Sequence, residues 1–337
     1  MSTTLADVFK DIEKISGKGS IMQGVEVKDI QRVAVPMIML NRMLYGGLPK
    51  GRMIEFAGAE SSGKTTTSLL CAASYQVQDE RPVFFVDAEG TYDPRWAALL
   101  GVDNSEGKFI KWAPENATAE EVFETILKVA ETGEVGMIIL DSIPALVPQQ
   151  EDAKDMTQYQ MGGISKPLTV FSRKLQKVLL KQDDLIFIGL NQVRDNMSQY
   201  GPTTTTVGGH AWKHMCSIRV EFKSENVDGN GNYMSDSADN PAGVRIMAAL
   251  KKNKTAPRNR KQASYIIDFE NGFSKILDIV TAGLVFGVIT QKGAGFSYSD
   301  SETGEVLISA LGKAKFIEKL TPEILEKIKM EVDTYDN

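Results

Sequence analysis

Short apolar runs alternate with helical patterns along most of the chain. The runs at 83–86, 137–140 and 185–190 are almost free of polar residues, which is typical of strands buried on both faces. Segments 118–131 and 167–180 instead place apolar residues at three- to four-residue spacing, on one face of a helix. Strands that alternate with helices predict an α/β fold with a mostly parallel central sheet.

Both ends of the chain depart from this alternation. Residues 4–15 predict a short amphipathic helix, which Thr4 and Asp7 would begin as a capping box. This helix docks either on its own core or on a neighbouring subunit, and the pattern leaves both open. From residue 272 onwards the pattern predicts a small α/β unit. We therefore divide the chain into an N-terminal arm (1–32), a core (33–272) and a C-terminal unit (273–337).

Composition narrows the class of protein. Apolar residues make up 42% of the 337 residues and charged residues 24%, as in ordinary globular proteins. Two cysteines form no disulfide framework, two histidines argue against a zinc site, and no apolar run approaches the ~18 residues of a membrane span. These features predict a cytoplasmic protein. Because its net charge is −6, the protein as a whole repels polyanions, and a surface that binds nucleic acid must come from local clusters of basic residues.

The strongest motif is the segment 58–66, which reads G-x-x-x-x-G-K-T-T and matches the P-loop pattern. An apolar run precedes it and a segment without helix breakers follows, so strand, loop and helix stand in the required order. Backbone N–H groups of such a loop and the helix N-terminus attract phosphate oxygens. The pattern predicts binding of ATP and Mg²⁺, with Lys64 on the outer phosphates and the Thr65 hydroxyl on Mg²⁺. The predicted nucleotide-binding residues of the loop are Gly58, Glu60, Ser61, Ser62, Gly63, Lys64, Thr65 and Thr66.

Polar side chains follow three other predicted strands. Asp141 ends an apolar strand in the manner of a Walker B carboxylate, which holds Mg²⁺. Glu89 follows a neighbouring strand and is the natural general base for water; the alternative is a helix cap or a solvated carboxylate. Gln192 begins a long polar loop, where its amide can sense a γ-phosphate; the alternative is an exposed strand end. Because ligands bind beyond the carboxyl ends of parallel strands, these side chains should converge on the phosphates.

Three basic segments are candidates for binding phosphate backbones. Lys166, Arg173 and Lys177 fall within roughly 40° of one another on a helix, at about 100° per residue. The irregular loop before them, 153–164, contains Met161, Gly162 and Gly163, and a second loop, 193–209, contains Arg194, Met197, Gly208 and Gly209. A solvated helix face is the alternative for the first set. The third set comprises Lys251, Lys252, Lys254, Arg258, Arg260 and Lys261. Three alternatives are open for it: contact with nucleic acid, contact with a neighbour's triphosphate, or a solvated loop.

Taken together, these residues resemble the RecA family of homologous-recombination ATPases. The resemblance covers nearly the whole chain and is far more specific than a P-loop alone. Its most specific pieces are residues 46–49, 51–52, 60–66, 87–89, 141–142, 190–194, 208–209, 252–254 and 256–257.

The resemblance implies roles for individual residues around the nucleotide. Lys64 and Thr65 would bind phosphate and Mg²⁺, with Asp141 supporting the Mg²⁺ and Glu89 activating water. Asp93 and Trp96 would contact adenine. Gln192 would link the γ-phosphate to the second DNA loop. Lys252 and Lys254 would enter the ATP site of the adjacent subunit, so that the site is complete only in a filament.

The resemblance also implies the contacts with DNA and between subunits. Met161 and Met197 would wedge between bases, while Lys166, Arg173 and Arg194 would meet phosphates. The N-terminal arm would pack on the next subunit. His210 and His214 depart from the family pattern, because bacterial relatives commonly carry Asn and Phe there, the latter at the subunit interface.

We therefore predict an ATP-dependent recombinase. It would form a helical filament on single-stranded DNA and exchange that strand with a homologous duplex, in DNA repair and recombination. Two alternatives use the same fold: a hexameric helicase-type motor, and a regulatory ATP switch without strand exchange. Electron micrographs test the first alternative, because the motor would form rings and the recombinase helical filaments. An ATPase assay tests the second, because a regulatory switch would show no stimulation by single-stranded DNA.

Overall fold

The computed structural model describes residues 3–17, 20–21, 29–152, 163–195, 204–257, 259–301 and 303–335. The chain divides into two compact units, Met1–Gln31 and Arg32–Asn337. The α-helices of the described residues are α1 (Leu5–Ser16), α2 (Ile38–Met43), α3 (Lys64–Gln78), α4 (Pro94–Leu99), α5 (Ala119–Thr132), α6 (Gln149–Asp152), α7 (Ser165–Lys181), α8 (Gly209–Met215), α9 (Lys275–Val285), α10 (Lys313–Glu318) and α11 (Pro322–Thr334). A short 3₁₀ helix spans Ile143–Ala145.

The strands form one large sheet and two small ones. They are β1 (Arg32–Val33), β2 (Leu48–Pro49), β3 (Arg52–Gly58), β4 (Val83–Asp87), β5 (Phe109–Trp112), β6 (Met137–Asp141), β7 (Ile186–Asp195), β8 (Thr204–Thr206), β9 (Ile218–Val227), β10 (Gly243–Asn253), β11 (Gln262–Asp268), β12 (Gly272–Phe273), β13 (Ile289–Lys292), β14 (Gly295–Ser299) and β15 (Val306–Leu311). β1 pairs with β2, and β13, β14 and β15 form a three-stranded sheet.

The large sheet confirms the predicted α/β class. Its order is β12-β11-β10-β9-β3-β7-β6-β4-β5, with β8 paired to β7. The strands from β9 to β5 are parallel, whereas β10, β11 and β12 extend the sheet with antiparallel neighbours. The P-loop strand β3 therefore lies in the interior of the sheet, with β7 and β9 on its two sides.

Helices cover both faces of this sheet, which explains the uninterrupted apolar runs. Along β6, Met137 and Ile139 belong to one core cluster, whereas Ile138 and Leu140 belong to the other. The first cluster includes residues of α3, and the second includes residues of α5 and α7. Successive side chains of a strand point to opposite faces, so a strand covered on both sides needs apolar residues at every position.

The helices α9, α10 and α11 pack with β13–β15 around a third core cluster. Its fully buried members include Val280, Tyr298, Phe316 and Ile328. This cluster is the core of the small α/β unit that the pattern after residue 272 predicts. No helix among the described ranges is long and apolar enough to cross a bilayer.

The N-terminal helix α1 begins with the predicted capping box. The Thr4 hydroxyl accepts from the Asp7 N–H at 3.3 Å, and the Asp7 carboxylate accepts from the Thr4 N–H at 3.2 Å. No residue of α1 is buried, and its apolar residues are exposed, among them Leu5, Phe9 and Ile15. The helix is therefore locally well defined.

A buried carboxylate joins the C-terminal unit to the rest of its compact unit. Asp278 of α9 is 4% exposed, and its Oδ2 accepts a hydrogen bond from the backbone N–H of Ile38 at 2.8 Å. Burial raises the pKa of Asp278 to about 7, while the bond from Ile38 opposes that rise. Asp278 therefore gains a proton on folding at mildly acidic pH.

We expect this proton to make stability depend on pH. The folded-state pKa lies above the ordinary 3.8, so the stability contributed by the proton is lost as pH rises through about 7. From pH 5.5 to pH 8 the free energy of unfolding should fall by about 2 kcal/mol more in the wild type than in Asp278→Asn. Urea unfolding of both proteins at the two pH values measures this. Parallel pH profiles would show that Asp278 does not titrate as described.

Candidate nucleotide and DNA sites

The carboxyl ends of the parallel strands bring the predicted polar residues to one edge of the sheet. Gly58, at the end of β3, lies directly opposite Gln192 of β7. Asp87, at the end of β4, lies opposite Asp141 of β6. The structure thus brings the phosphate loop, Gln192 and the Asp141 carboxylate to the same edge, where ligands of such sheets bind.

The loop between β3 and α3 is shaped by backbone that turns tightly around the Lys64 ammonium. The Lys64 Nζ donates to the carbonyl oxygens of Ala59 at 2.6 Å and Gly58 at 3.2 Å. Gly63 has a φ of +85°, a backbone conformation that favours glycine, and a Cβ there would lie 2.4 Å from the Ile246 Cδ1. These features suit a loop that closes around phosphate oxygens.

A buried pair of hydroxyls supports this loop from behind. The Thr67 Oγ1 donates to the Gly63 carbonyl oxygen at 2.6 Å and lies 2.6 Å from the Tyr265 hydroxyl. Because the single Thr67 hydroxyl proton is directed at Gly63, the Tyr265 hydroxyl is the donor in the second bond. No local sequence pattern signals this support, because Tyr265 lies far along the chain on β11.

Two oxygens at the loop form a pair suited to Mg²⁺. The Thr65 Oγ1 donates to the Asp141 Oδ2 at 2.6 Å, and Asp141 is 3% exposed. Burial raises the pKa of Asp141 to about 6, opposed by the Thr65 hydrogen bond. Burial also lowers the pKa of Lys64, opposed by the charges of Asp141, Glu89 and Glu60. Hydroxyl and carboxylate oxygens fit Mg²⁺, which binds few protein ligands and completes its shell with phosphates and water.

A hydrogen bond from a serine hydroxyl holds Glu89 near this pair. The chain bends after β4, and the Glu89 Oε1 accepts a hydrogen bond from the hydroxyl of Ser142, the residue after Asp141. Ser142 is 1% exposed, so its side chain is held in place. Glu89 itself is exposed, and its Oε2 remains for another partner. The role of Glu89 as general base stays a prediction, and Ser142 is a candidate orienting residue for it.

Two lysines of the third basic segment contact α8. The Lys252 Nζ donates to the carbonyl oxygens of Lys213 at 2.6 Å and His214 at 2.9 Å. The Lys254 Nζ donates to the same His214 carbonyl at 2.9 Å. Burial, followed by the charge of Lys254, lowers the pKa of Lys252 to about 8. The lysines thus occupy carbonyl groups that the last turn of a helix leaves without helical partners.

Comparison with known proteins decides the family. A family model described as the RecA N-terminal domain matches residues 3–274. The chain belongs to the RecA family.

Curated relatives agree over almost the full chain. The chain is 35% identical to Protein RecA of Fusobacterium nucleatum over 333 residues, which cover 97% of this chain and 82% of that protein. It is 34% identical to Protein RecA of Thermus aquaticus over 335 residues, with coverage of 98% and 93%. It is also 34% identical to Protein RecA of Campylobacter fetus over 327 residues, with coverage of 95% and 90%. These matches confirm the resemblance and a RecA recombinase, and they support neither the helicase-type motor nor the regulatory switch.

The two residues that the RecA resemblance assigns to adenine lie at the start of α4. Asp93 is the N-cap of this helix, and its Oδ1 accepts from the N–H groups of Arg95 at 2.8 Å and Trp96 at 3.4 Å. Trp96 is half-buried against the first core cluster. The cap holds the two residues together, and their contact with adenine stays a prediction.

Those residues assigned to DNA that the structure describes lie on one helix and at the ends of the two loops. Lys166, Arg173 and Lys177 are all exposed on α7, and Arg194 is exposed near the end of β7. Gly163 precedes α7 in a turn. Met161, Gly162 and Met197 lie outside the described residues.

The second loop returns to the core at a glycine pair. Gly208 has a φ of +101° and Gly209 a φ of +71°, and α8 begins there. A Cβ on Gly208 would lie 2.3 Å from the Leu168 Cδ2, so its lack of a side chain lets the loop end approach α7. The end of one candidate DNA loop therefore packs on the helix that follows the other.

Proposed function

We propose that this chain is a DNA-dependent ATPase that assembles on single-stranded DNA and pairs it with a homologous duplex in the cytoplasm. The observation that carries the proposal is the arrangement at the sheet edge. Thr65 is bonded to Asp141, Glu89 is bonded to the adjoining Ser142, and Gln192 lies beside Gly58 where the second loop begins. The residues proposed for hydrolysis thus adjoin the start of a candidate DNA loop.

The chain's own residues divide the chemistry of ATP hydrolysis among them. The loop N–H groups and Lys64 would bind the phosphates. Phosphate oxygens would then replace the Gly58 and Ala59 carbonyl oxygens as the acceptors of the Lys64 ammonium. Thr65 and Asp141 would hold Mg²⁺, which when bound neutralises developing phosphate charge. Glu89, with Oε1 held by Ser142, would orient water and accept its proton at Oε2.

Gln192 is the proposed sensor of the nucleotide. Gln192 lies opposite Gly58 of the phosphate loop, and the second loop begins at the next residue, within the last part of β7, which ends at Asp195. A hydrogen bond from its amide to a γ-phosphate oxygen would favour one arrangement of that loop, and hydrolysis would release it.

DNA would be held mainly through its phosphates. The exposed side chains of Lys166, Arg173 and Arg194 supply cations on α7 and β7. Such binding releases counterions, so affinity for single strands should fall steeply with salt and vary little with sequence. The bases remain available for pairing with a second strand, and the loop methionines would lie between them.

The test is ATP hydrolysis with and without single-stranded DNA, together with electron microscopy of the complexes and a strand-exchange assay. The proposal expects stimulation by single strands, helical filaments and exchanged products. Rings would favour a helicase-type motor. The proposal would be contradicted if single-stranded DNA did not change the rate of hydrolysis and the protein stayed monomeric with ATP, Mg²⁺ and oligonucleotide present.

The site should also need a neighbouring subunit. We propose that Lys252 and Lys254 leave the α8 carbonyls and enter the ATP site of the adjacent copy, and that the arm 1–32 packs on that copy. Cations supplied in trans stabilise the transition state of phosphoryl transfer. Lys252→Ala combined with Lys254→Ala should lower DNA-stimulated hydrolysis by about a hundredfold or more. Steady-state hydrolysis at saturating single-stranded DNA measures this.

The control for this prediction is nucleotide binding by the dispersed protein. MgATP affinity measured without DNA should change by less than about threefold, because each chain's own phosphate loop is intact in the double variant. A parallel loss of monomer affinity would place the lysines in the site of their own chain. Lys128→Ala, which removes an exposed lysine of α5 outside the three basic segments, should keep the wild-type rate.

A further inference from the structure

A charged side chain occupies the middle of the strand that leads to the phosphate loop. Glu55 of β3 is 0% exposed and lies three positions before Gly58. An ionised carboxylate in a sheet interior is strongly destabilising unless several donors surround it. Such a group is stable only where hydrogen-bond donors of the protein replace the water that it has lost. Those donors identify the elements that the carboxylate joins.

Three different elements supply the donors. The Glu55 Oε1 accepts from the Asn191 side-chain amide at 2.8 Å and from the Trp212 indole N–H at 2.7 Å. The Glu55 Oε2 accepts from the Arg219 guanidinium. Asn191 belongs to β7, Trp212 to α8 and Arg219 to β9, so one carboxylate joins three elements to β3.

The packing leaves room for this arrangement. Gly189 is the residue of β7 directly opposite Glu55. A Cβ on Gly189 would lie 2.9 Å from the Trp212 Cζ2 and 3.0 Å from its Cη2, so the indole lies over the glycine. The absence of a side chain at this position is what lets a tryptophan of α8 reach a carboxylate on the sheet.

The same donors continue to both stems of the second loop. The Asn191 Oδ1 accepts from the backbone N–H of Gln192 at 2.9 Å, and its amide also donates to the Val207 carbonyl oxygen at 2.8 Å. The Arg219 Nη2 donates to the Thr206 Oγ1 at 3.3 Å. The outgoing stem (191–195) is therefore bonded to Glu55 directly through Asn191, and the returning stem (204–209) is bonded to it through the Asn191 and Arg219 side chains.

The network also reaches the segment that holds the two interface lysines. Trp212 lies on α8, and the carbonyls of the next two residues accept from Lys252 and Lys254. Glu55 does not belong to the phosphate-binding residues, yet its partners lie beside Gln192, on the loop stems and on α8. These are the places that would have to move together if nucleotide and DNA binding are coupled.

We propose that Glu55 is a positioning residue that couples the phosphate loop to the second loop, by fixing both of its stems and α8 to β3. This inference rests on the proposed function, because it concerns how DNA stimulates hydrolysis. The carboxylate keeps the two stems in one register relative to Gly58, so a shift of Gln192 is passed to both stems at once. The catalytic step itself does not use Glu55.

Glu55→Gln is the direct test. The variant keeps the shape of the side chain but places an amide, itself a donor, against Arg219 or against the donors of Asn191 and Trp212. We expect MgATP affinity without DNA to stay within about twofold, and the ratio of DNA-stimulated to DNA-free hydrolysis to fall by about tenfold. The single-strand concentration for half-maximal stimulation should rise as well.

A matched control tests whether any charge pair in this sheet matters equally. Glu225 of β9 pairs with Arg245 of β10, away from the loop stems. Glu225→Gln should leave the stimulation ratio unchanged. If Glu225→Gln and Glu55→Gln lower the ratio equally, or if a folded Glu55→Gln keeps the wild-type ratio, the inference is wrong. A loss of nucleotide affinity that accounts for the whole loss of rate would also overturn it.

Trp212→Phe decides the question if Glu55→Gln does not fold, as thermal unfolding would show. This variant removes one donor to Glu55 without changing a charge, and we expect the stimulation ratio to fall by about threefold. A folded Trp212→Phe protein with the wild-type ratio would then overturn the inference. Absence of DNA stimulation in the wild type would be a failure of the proposed function itself, and it is seen before any variant is compared.

Discussion

Lys64→Ala is expected to abolish ATP hydrolysis, with a loss of at least about a thousandfold, and with it nucleotide-dependent assembly on DNA. The Lys64 Nζ lies among loop carbonyls, where it is partly buried, and phosphate oxygens would replace those carbonyls. Without the ammonium, the charge that develops on the transferred phosphoryl group loses its nearest cation from the loop. Phosphate release and ATP-dependent pelleting of single-stranded DNA complexes measure the two effects.

The control is a lysine with no contact to this site. Lys128 is exposed on α5, so Lys128→Ala removes a positive charge from the chain while the phosphate loop stays intact. Its hydrolysis and assembly should match the wild type. Hydrolysis by Lys64→Ala within tenfold of the wild-type rate would mean that the loop does not bind phosphates in the manner described.

Glu89→Gln is expected to separate binding from turnover. The glutamine side chain can keep the contact with Ser142 but cannot accept a proton from water, so turnover should fall by about a hundredfold or more. ATP and single-stranded DNA should still bind, and filaments should persist longer, because the release that follows hydrolysis is delayed. Single-turnover hydrolysis and filament lifetime after removal of ATP measure these changes.

Two further variants test this assignment, one with a smaller expected effect and one as a control. Ser142→Ala removes the hydroxyl that holds the Glu89 Oε1 and should lower turnover by a smaller factor, about tenfold, because the carboxylate remains but is less well oriented. Glu106→Gln alters an exposed glutamate and should leave turnover unchanged. Normal turnover in Glu89→Gln would show that the assignment of Glu89 as the base is wrong.

Local patterns were sufficient for the elements of the nucleotide site. The P-loop motif, the apolar run before it and the helix after it are contiguous, so neighbours in sequence determine their geometry. Asp141 could be found because a buried parallel strand must end at the ligand edge of its sheet, whatever its order in that sheet. The same rule placed Gln192 at this edge, although not beside Gly58.

Glu55 shows where such patterns stop. Its signal is a charge inside the otherwise apolar run 53–57, and that run by itself predicts only a buried strand. Its donors come from positions more than 130 residues away, at Asn191, Trp212 and Arg219. No spacing rule connects them, because strand register and the seating of α8 bring them together. No spacing rule predicts the contacts of Ser142 with Glu89 and of Tyr265 with Thr67, for the same reason.

The sequence by itself determined the α/β class, the phosphate loop and the carboxylate and amide at the strand ends, because each depends on periodicity or on residues adjacent in the chain. Only the tertiary structure decided that β7 lies beside β3, that Lys252 and Lys254 rest on α8, and that one buried carboxylate ties together both stems of a loop. These are contacts between distant segments, and they follow from how the sheet and its helices pack as a whole.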